Sequence, residues 1–148
     1  MTNTIELMNN TIYPPTTMTK GPRELFGDDN KENRLIGGRF DDVLIGGSKN
    51  DTLKGHRGDD YIIGGGGKNK VRGGAGADFF ELRMGGRMVI KDFDPFEGDV
   101  VVLPQYKDDS QIEWEFKRNR WVLSIDDQQI AKFNSPFDPS MLVAVVLD

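Results

Sequence analysis

Between Asn33 and Glu81 a large apolar residue returns every nine positions, at Leu35, Leu44, Leu53, Ile62, Val71 and Phe80. Two residues before each stands a carboxylate or its amide, namely Asn33, Asp42, Asp51, Asp60, Asn69 and Asp78. Glycines punctuate the intervals as Gly37-Gly38, Gly46-Gly47, Gly55, Gly64-Gly65 and Gly73-Gly74, so the unit reads G-G-x-G-x-D-x-U-x with U apolar. One obligatory apolar residue in nine cannot form an amphipathic helix, whose stripe must recur every three or four residues. Stretches such as Val43-Leu44-Ile45 and Tyr61-Ile62-Ile63 suit very short strands, and the glycine-rich residues between them suit only turns. An all-β fold follows. Two units make one eighteen-residue coil, and coils stack into a parallel β-roll at the strand spacing of roughly 4.8 Å.

Units eighteen apart lie directly above one another, which sorts the acidic positions into two columns. The first is Asp42, Asp60 and Asp78; the second is Asn33, Asp51 and Asn69. Like charges one strand apart repel, so a column of aspartates calls for a cation between its members. Calcium (Ca2+), a hard ion taking six to eight oxygens, suits paired carboxylates and inward glycine carbonyls. On this reading Asp60 serves two sites, one with Asp42 and one with Asp78. The second column is weaker, because two of its three acids are amides. Lys31 and Lys49 replace a glycine there, and Arg34, Lys54, Lys68, Lys70 and Arg72 crowd around it. An asymmetric roll is expected, with calcium sites down one side, although the asparagine carbonyls of Asn33 and Asn69 remain alternative ligands.

Domain organisation reads in three parts: residues 1–29 as a flexible leader or N-terminal cap, 30–81 as the roll, and 82–148 as an antiparallel β cap. Ile12 and Tyr13, or Leu25 and Phe26, are expected to fold over the open end. The acidic turn from Asp92 to Asp99 lacks the ligand spacing of an EF-hand; these two acids instead offer a last site against the end of the roll. From Gln111 the period falls to two. A two-residue corner at Arg118-Asn119 would pair Phe116 with Trp121, Trp114 with Leu123 and Ile112 with Ile125. A third strand, Gln129 to Phe133, and a final one, Met141 to Leu147, complete the cap, and both tryptophans are read as core.

Only 36% of residues are hydrophobic while Gly numbers 18, so the chain has little core to offset the ordering of its glycines, and metal must supply part of the folding free energy. The net charge of -5 argues against general nucleic-acid binding, and with Cys 0 there is no thiolate chemistry. No stretch is long and apolar enough to span a membrane. The first twenty residues carry neither a basic start nor an apolar run, so export would use no cleaved N-terminal signal. The single histidine, His56, occupies a glycine position of a turn; no H-E-x-x-H pair or nucleophile constellation is present, and no enzymatic activity is expected.

The repeats GHRGDDYII and GGAGADFFE, followed by IKDFDPFEGDVVVL, a hairpin and IAKFNSPFDPSMLVAVVLD, resemble the C-terminal parts of secreted bacterial RTX proteins. Those include hemolysin-type toxins, serralysin-type proteases and the R-modules of mannuronan C5-epimerases. The resemblance implies calcium ligation by Asp42, Asp51, Asp60 and Asp78, with Asn33 and Asn69 as departures, and by the carbonyls of Gly37, Gly55, Gly58, Gly73 and Gly76. Phe40 breaks the glycine pattern. It further implies an extracellular protein that stays disordered before export by type I secretion machinery, is read through an uncleaved C-terminal signal, and folds on meeting calcium. Alternatively, a basic side carrying Lys49, Lys54, Lys68, Lys70 and Arg72 would recognise an acidic polysaccharide, as an epimerase R-module does.

Overall fold

The computed structural model describes residues 21–103, 111–141 and 144–145. Two sheets build it. One runs β1 (Glu24–Phe26), β3 (Val43–Ile45), β5 (Tyr61–Ile63), β7 (Phe79–Glu81), β9 (Val100–Val102) and β13 (Ala144–Val145), all parallel. The other stacks β2 (Arg34–Ile36), β4 (Thr52–Arg57), β6 (Gly67–Ala75) and β8 (Gly86–Ile90) in parallel. It continues through β12 (Gln128–Phe133), β11 (Arg120–Ile125) and β10 (Ile112–Lys117).

The chain alternates between the sheets with each turn, as the nine-residue period requires. Leu35, Leu44, Leu53, Ile62, Val71 and Phe80 are all 0% exposed and meet between the sheets, each apolar burial stabilising by about 2 kcal/mol. Register is in step throughout: Leu44 pairs with Ile62 and Ile62 with Phe80, while Leu35 pairs with Leu53 and Leu53 with Val71.

The antiparallel cap forms as expected from alternation. Phe116 pairs with Trp121, Trp114 with Leu123 and Ile112 with Ile125. Arg118 and Asn119 both take positive φ, 50° and 62°, the geometry of a tight hairpin whose twist matches its strands. Asp126 and Asp127 repeat that turn between β11 and β12. The apolar face of the cap joins the core through Phe93, which packs against Phe80, Phe133 and Phe137 at ring separations of 5.9, 5.2 and 5.0 Å.

Parallel stacking extends further than the repeats. At the N-terminal end, β1 pairs in parallel with β3 as the outermost strand of its sheet, and Leu25 enters the core at 1% exposure. Residues 82–148 are not wholly antiparallel, since β8 and β9 continue the two parallel stacks and β12 lies parallel to β8. The expected final strand from Met141 to Leu147 is described only as β13, which adds to β9 on the sheet opposite the hairpin. A strand that follows a long connection can reach either open edge, and alternation alone does not choose between them. Ile12 and Tyr13 lie outside the described residues.

Candidate metal centre along one edge of the roll

The acidic residues two positions before each core residue form ladders. Along the first edge, the backbone N–H of Arg23 donates to Oδ1 of Asp42 at 2.8 Å, Asp42 to Asp60 at 2.8 Å, Asp60 to Asp78 at 2.9 Å, and Asp78 to Asp99 at 2.9 Å. Each carboxylate thus satisfies one donor of the coil before it. Its second oxygen points into the turn. Oδ2 of Asp60 and Oδ2 of Asp78 are buried there with no hydrogen-bond partner. Oδ2 of Asp42 accepts from the N–H of Gly38 at 2.5 Å.

Glycine is required at the mouth of each turn. A Cβ on Gly37 would stand 2.5 Å from the Gly55 carbonyl oxygen and 2.6 Å from Asp42 Oδ2; one on Gly55 would stand 2.6 Å from the Gly73 carbonyl oxygen. Gly73 is crowded in the same way by the carboxylate of Asp78. Gly58 and Gly76 take φ of +104° and +130°, which L side chains resist. The edge therefore brings together carboxylates and carbonyls of successive coils at spacings that exclude a Cβ.

Burial dominates the electrostatics. Removal from water pushes the Asp60 carboxyl up to about 7 and that of Asp78 up to about 8, with neighbouring carboxylates adding to the effect. Burial likewise raises Asp99 to about 6 and lifts Asp42 and Asp92. Among the described residues no three carboxylate or imidazole side chains close on one point. A cation on this edge would draw on pairs of acids one coil apart together with backbone carbonyls, and the orphaned oxygens of Asp60 and Asp78 fit that demand.

The second edge is closed differently. Asp51 Oδ1 accepts from the backbone N–H of Asn33 at 2.7 Å and from its side-chain amide at 2.8 Å, while Oδ2 accepts from Gly47 at 2.8 Å. The Asn33 amide also donates to the carbonyls of Asp28 and Lys31, both at 3.0 Å, and that of Asn69 to the Gly66 carbonyl at 3.0 Å. Amide N–H groups take up the oxygens here.

The structure adds Arg23, which sequence reading passed over. Its backbone begins the first ladder, and its guanidinium donates to the Gly37 carbonyl at 3.4 Å. The signal was present, since Arg23 stands two residues before Leu25 as Asp42 does before Leu44.

The expected basic residues divide. Lys54, Lys68, Lys70 and Arg72 lie on the outer face of the second sheet, whereas Lys49 belongs to a turn. Register sets Arg34, Thr52, Lys70, Val89 and Lys132 in one row, and Lys68 beside Arg87. Arg87 joins this face through the pairing of β8 with β6, and Lys132 through that of β12 with β8.

The family model for the RTX calcium-binding nonapeptide repeat matches four copies over residues 28–48 and 45–80. Residues 28–80 thus match the RTX calcium-binding repeat in sequence. Calcium is the ion that RTX nonapeptides take, in agreement with the oxygen-only ligand set of the first edge. A search of curated proteins gives no match. Among solved structures, the AlgE6R3 subunit of the Azotobacter vinelandii mannuronan C5-epimerase shares the fold, with a TM-score of 0.53 and 22% identity, over 74% of this chain and 77% of that one. No helix among the described residues is long and apolar enough to cross a membrane.

Proposed function

We propose that this chain is a secreted, non-catalytic calcium-binding module that completes its fold when calcium enters the first edge of the RTX roll. The ions sit between Asp42 and Asp60 and between Asp60 and Asp78, aided by the carbonyls of Gly37, Gly55, Gly58, Gly73 and Gly76. The second edge, with Asn33, Asp51 and Asn69, takes none. One observation carries this reading: the second oxygens of Asp60 and Asp78 are buried without a partner, whereas both oxygens of Asp51 are satisfied by N–H groups. Bound calcium would neutralise the buried carboxylates and supply the partner they lack. Export by type I machinery, before calcium is met outside the cell, belongs to the same reading. Titrating metal-stripped protein with calcium while following circular dichroism tests it: a cooperative gain of β signal is expected, and an unchanged spectrum with no heat of binding would overturn it.

A second reading has its own support. The cations of β2, β4, β6, β8 and β12 share one outer face, with Arg34, Lys70 and Lys132 in one register row and Lys68 next to Arg87. Such a face suits an acidic polysaccharide, and the likeness in fold to part of a mannuronan epimerase favours a polyuronate over other polyanions. Retention on a polyuronate column should fall with salt and in the Lys68→Glu, Lys70→Glu variant. Equal retention of the variant would remove this reading while leaving the calcium one intact.

A further inference from the structure

Four strands end the two sheets, and one of them is unlike the rest. β1 and β13 bound one sheet and β2 the other, with three, two and three residues, so short that they offer a further strand little to pair with. β10, at the far end of the second sheet, runs six residues from Ile112 to Lys117 and pairs only with β11 among the described residues. The Asp126 N–H donates to the Gln111 carbonyl at 3.0 Å. Antiparallel bonding alternates, so the odd-numbered residues of β10 turn their backbone groups toward β11, while those of Ile112, Trp114 and Phe116 point away from the sheet. No proline, bulge or inward-pointing charge blunts this edge, since the register shift of the cap lies between β11 and β12. The core-facing side chains are apolar and only partly covered. Ile112 is 46% and Phe116 56% exposed, although Trp114 between them packs on Phe133 and Phe137.

We infer that two copies of this chain join through β10, antiparallel about a twofold axis at Phe116. A second copy is the occupant because the edge complements itself in charge. The outer face of β10 carries Glu113, Glu115 and Lys117, and the last two form an ion pair with each other while 56% and 59% exposed. Side chains opposed across an antiparallel pair share one face, so the register decides which charges meet. Centred on Trp114, each Glu113 would oppose the partner's Glu115. Centred on Glu115, that carboxylate would meet its own copy. Centred on Phe116, each Glu115 opposes the partner's Lys117, and the two Phe116 residues pair across the axis through their outward backbone groups. Of the three registers only this one sets no like charges against each other. A single strand edge falls short of the roughly 1,200 Å² that stable interfaces bury, so the dimer forms with rising concentration. Because the axis stands perpendicular to the sheet, the basic outer faces of both copies turn to the same side.

The test follows the full chain, saturated with calcium, by sedimentation over a series of rising concentrations. A monomer–dimer equilibrium is expected, weakened by salt because its charge pairs are exposed. Glu115→Lys and Lys117→Glu should each weaken association at least tenfold, since each sets like charges opposite one another. The chain carrying both substitutions has the charges exchanged and should regain association. Tryptophan emission reports whether each variant keeps its hairpin; where a single substitution disturbs it, the doubly substituted chain decides. A protein that stays monomeric at every concentration would overturn the inference. So would dimers indifferent to both single substitutions, which place the contact on another surface, or a doubly substituted chain that does not regain association.

Discussion

The side-chain amide of Asn33 donates to Oδ1 of Asp51 at 2.8 Å and to the carbonyls of Asp28 and Lys31 at 3.0 Å. One nitrogen thus stands among a carboxylate and two turn carbonyls, the oxygen set that a hard cation seeks. Asp60, one position over on the opposite edge, accepts one backbone hydrogen bond and leaves its other oxygen bare.

Substitutions of these two aspartates should therefore fail in opposite ways. Asp60→Ala is expected to remove or weaken at least tenfold the ions on both sides of it, seen as a lower ion count. Asp51→Ala should leave the ion count unchanged and destabilise the fold by about 2–4 kcal/mol, since the backbone N–H groups of Asn33 and Gly47 lose their acceptor and the Asn33 amide loses one of its three. Urea titrations with calcium present measure the second effect, and an equal loss of ions in both variants would contradict the edge assignment.

Acidity gives a second prediction. Folding without metal raises Asp60 to about 7 and Asp78 to about 8 from an ordinary 3.8, so between those limits the folded state holds more protons than the unfolded one. Stability of the metal-free fold must then fall as pH rises through this range. The urea midpoint of metal-stripped protein should be higher at pH 5 than at pH 8.5. Calcium binding at neutral pH should release protons, visible as a buffer-dependent heat.

His56 offers a gain. Its φ of 92° belongs to glycine, and the corresponding Gly74 in the next coil takes 113°. His56→Gly should relieve backbone strain of about 1–2 kcal/mol, read as a raised urea midpoint in the presence of calcium. No loss of ion binding is expected, because the side chain is exposed and contributes no ladder bond.

Phe93 tests how the cap depends on the roll. It is buried among Phe80, Phe133 and Phe137, and Phe93→Ala should cost about 3–5 kcal/mol. Trp114 and Trp121 pack around Phe133 and Phe137, so the cap's tryptophan emission should change at lower urea than the roll's circular dichroism. Coincident transitions would mean that roll and cap unfold as one unit.

Much of this was legible beforehand because two strict periods carry it. The nine-residue period located the six fully buried apolar residues from Leu35 to Phe80 and both rows of acids and amides, and the period of two located the hairpin down to the pairing of Phe116 with Trp121. The signal weakens where a period is interrupted. Asp99, named beforehand with Asp92 from its acidic turn and not from the beat, sits three residues out of step because that turn is longer, yet it accepts from Asp78 as Asp78 does from Asp60. Asn33 and Asn69 were open to two readings, since an amide presents both an acceptor and a donor; only the turn geometry reveals that the donor faces the carbonyls. Non-local pairings, such as β12 beside β8 and β13 beside β9, leave no mark in local pattern.

The contrast between the amide-closed and acid-lined edges gives the molecule a direction of opening. It resembles a book glued along its spine and fastened by a clasp at the fore-edge: the Asn33 and Asn69 nitrogens are covalently part of the pages, whereas the clasp is exchangeable. Calcium depletion would undo the fore-edge first and leave the leaves collated, so that refastening begins from pages already in order.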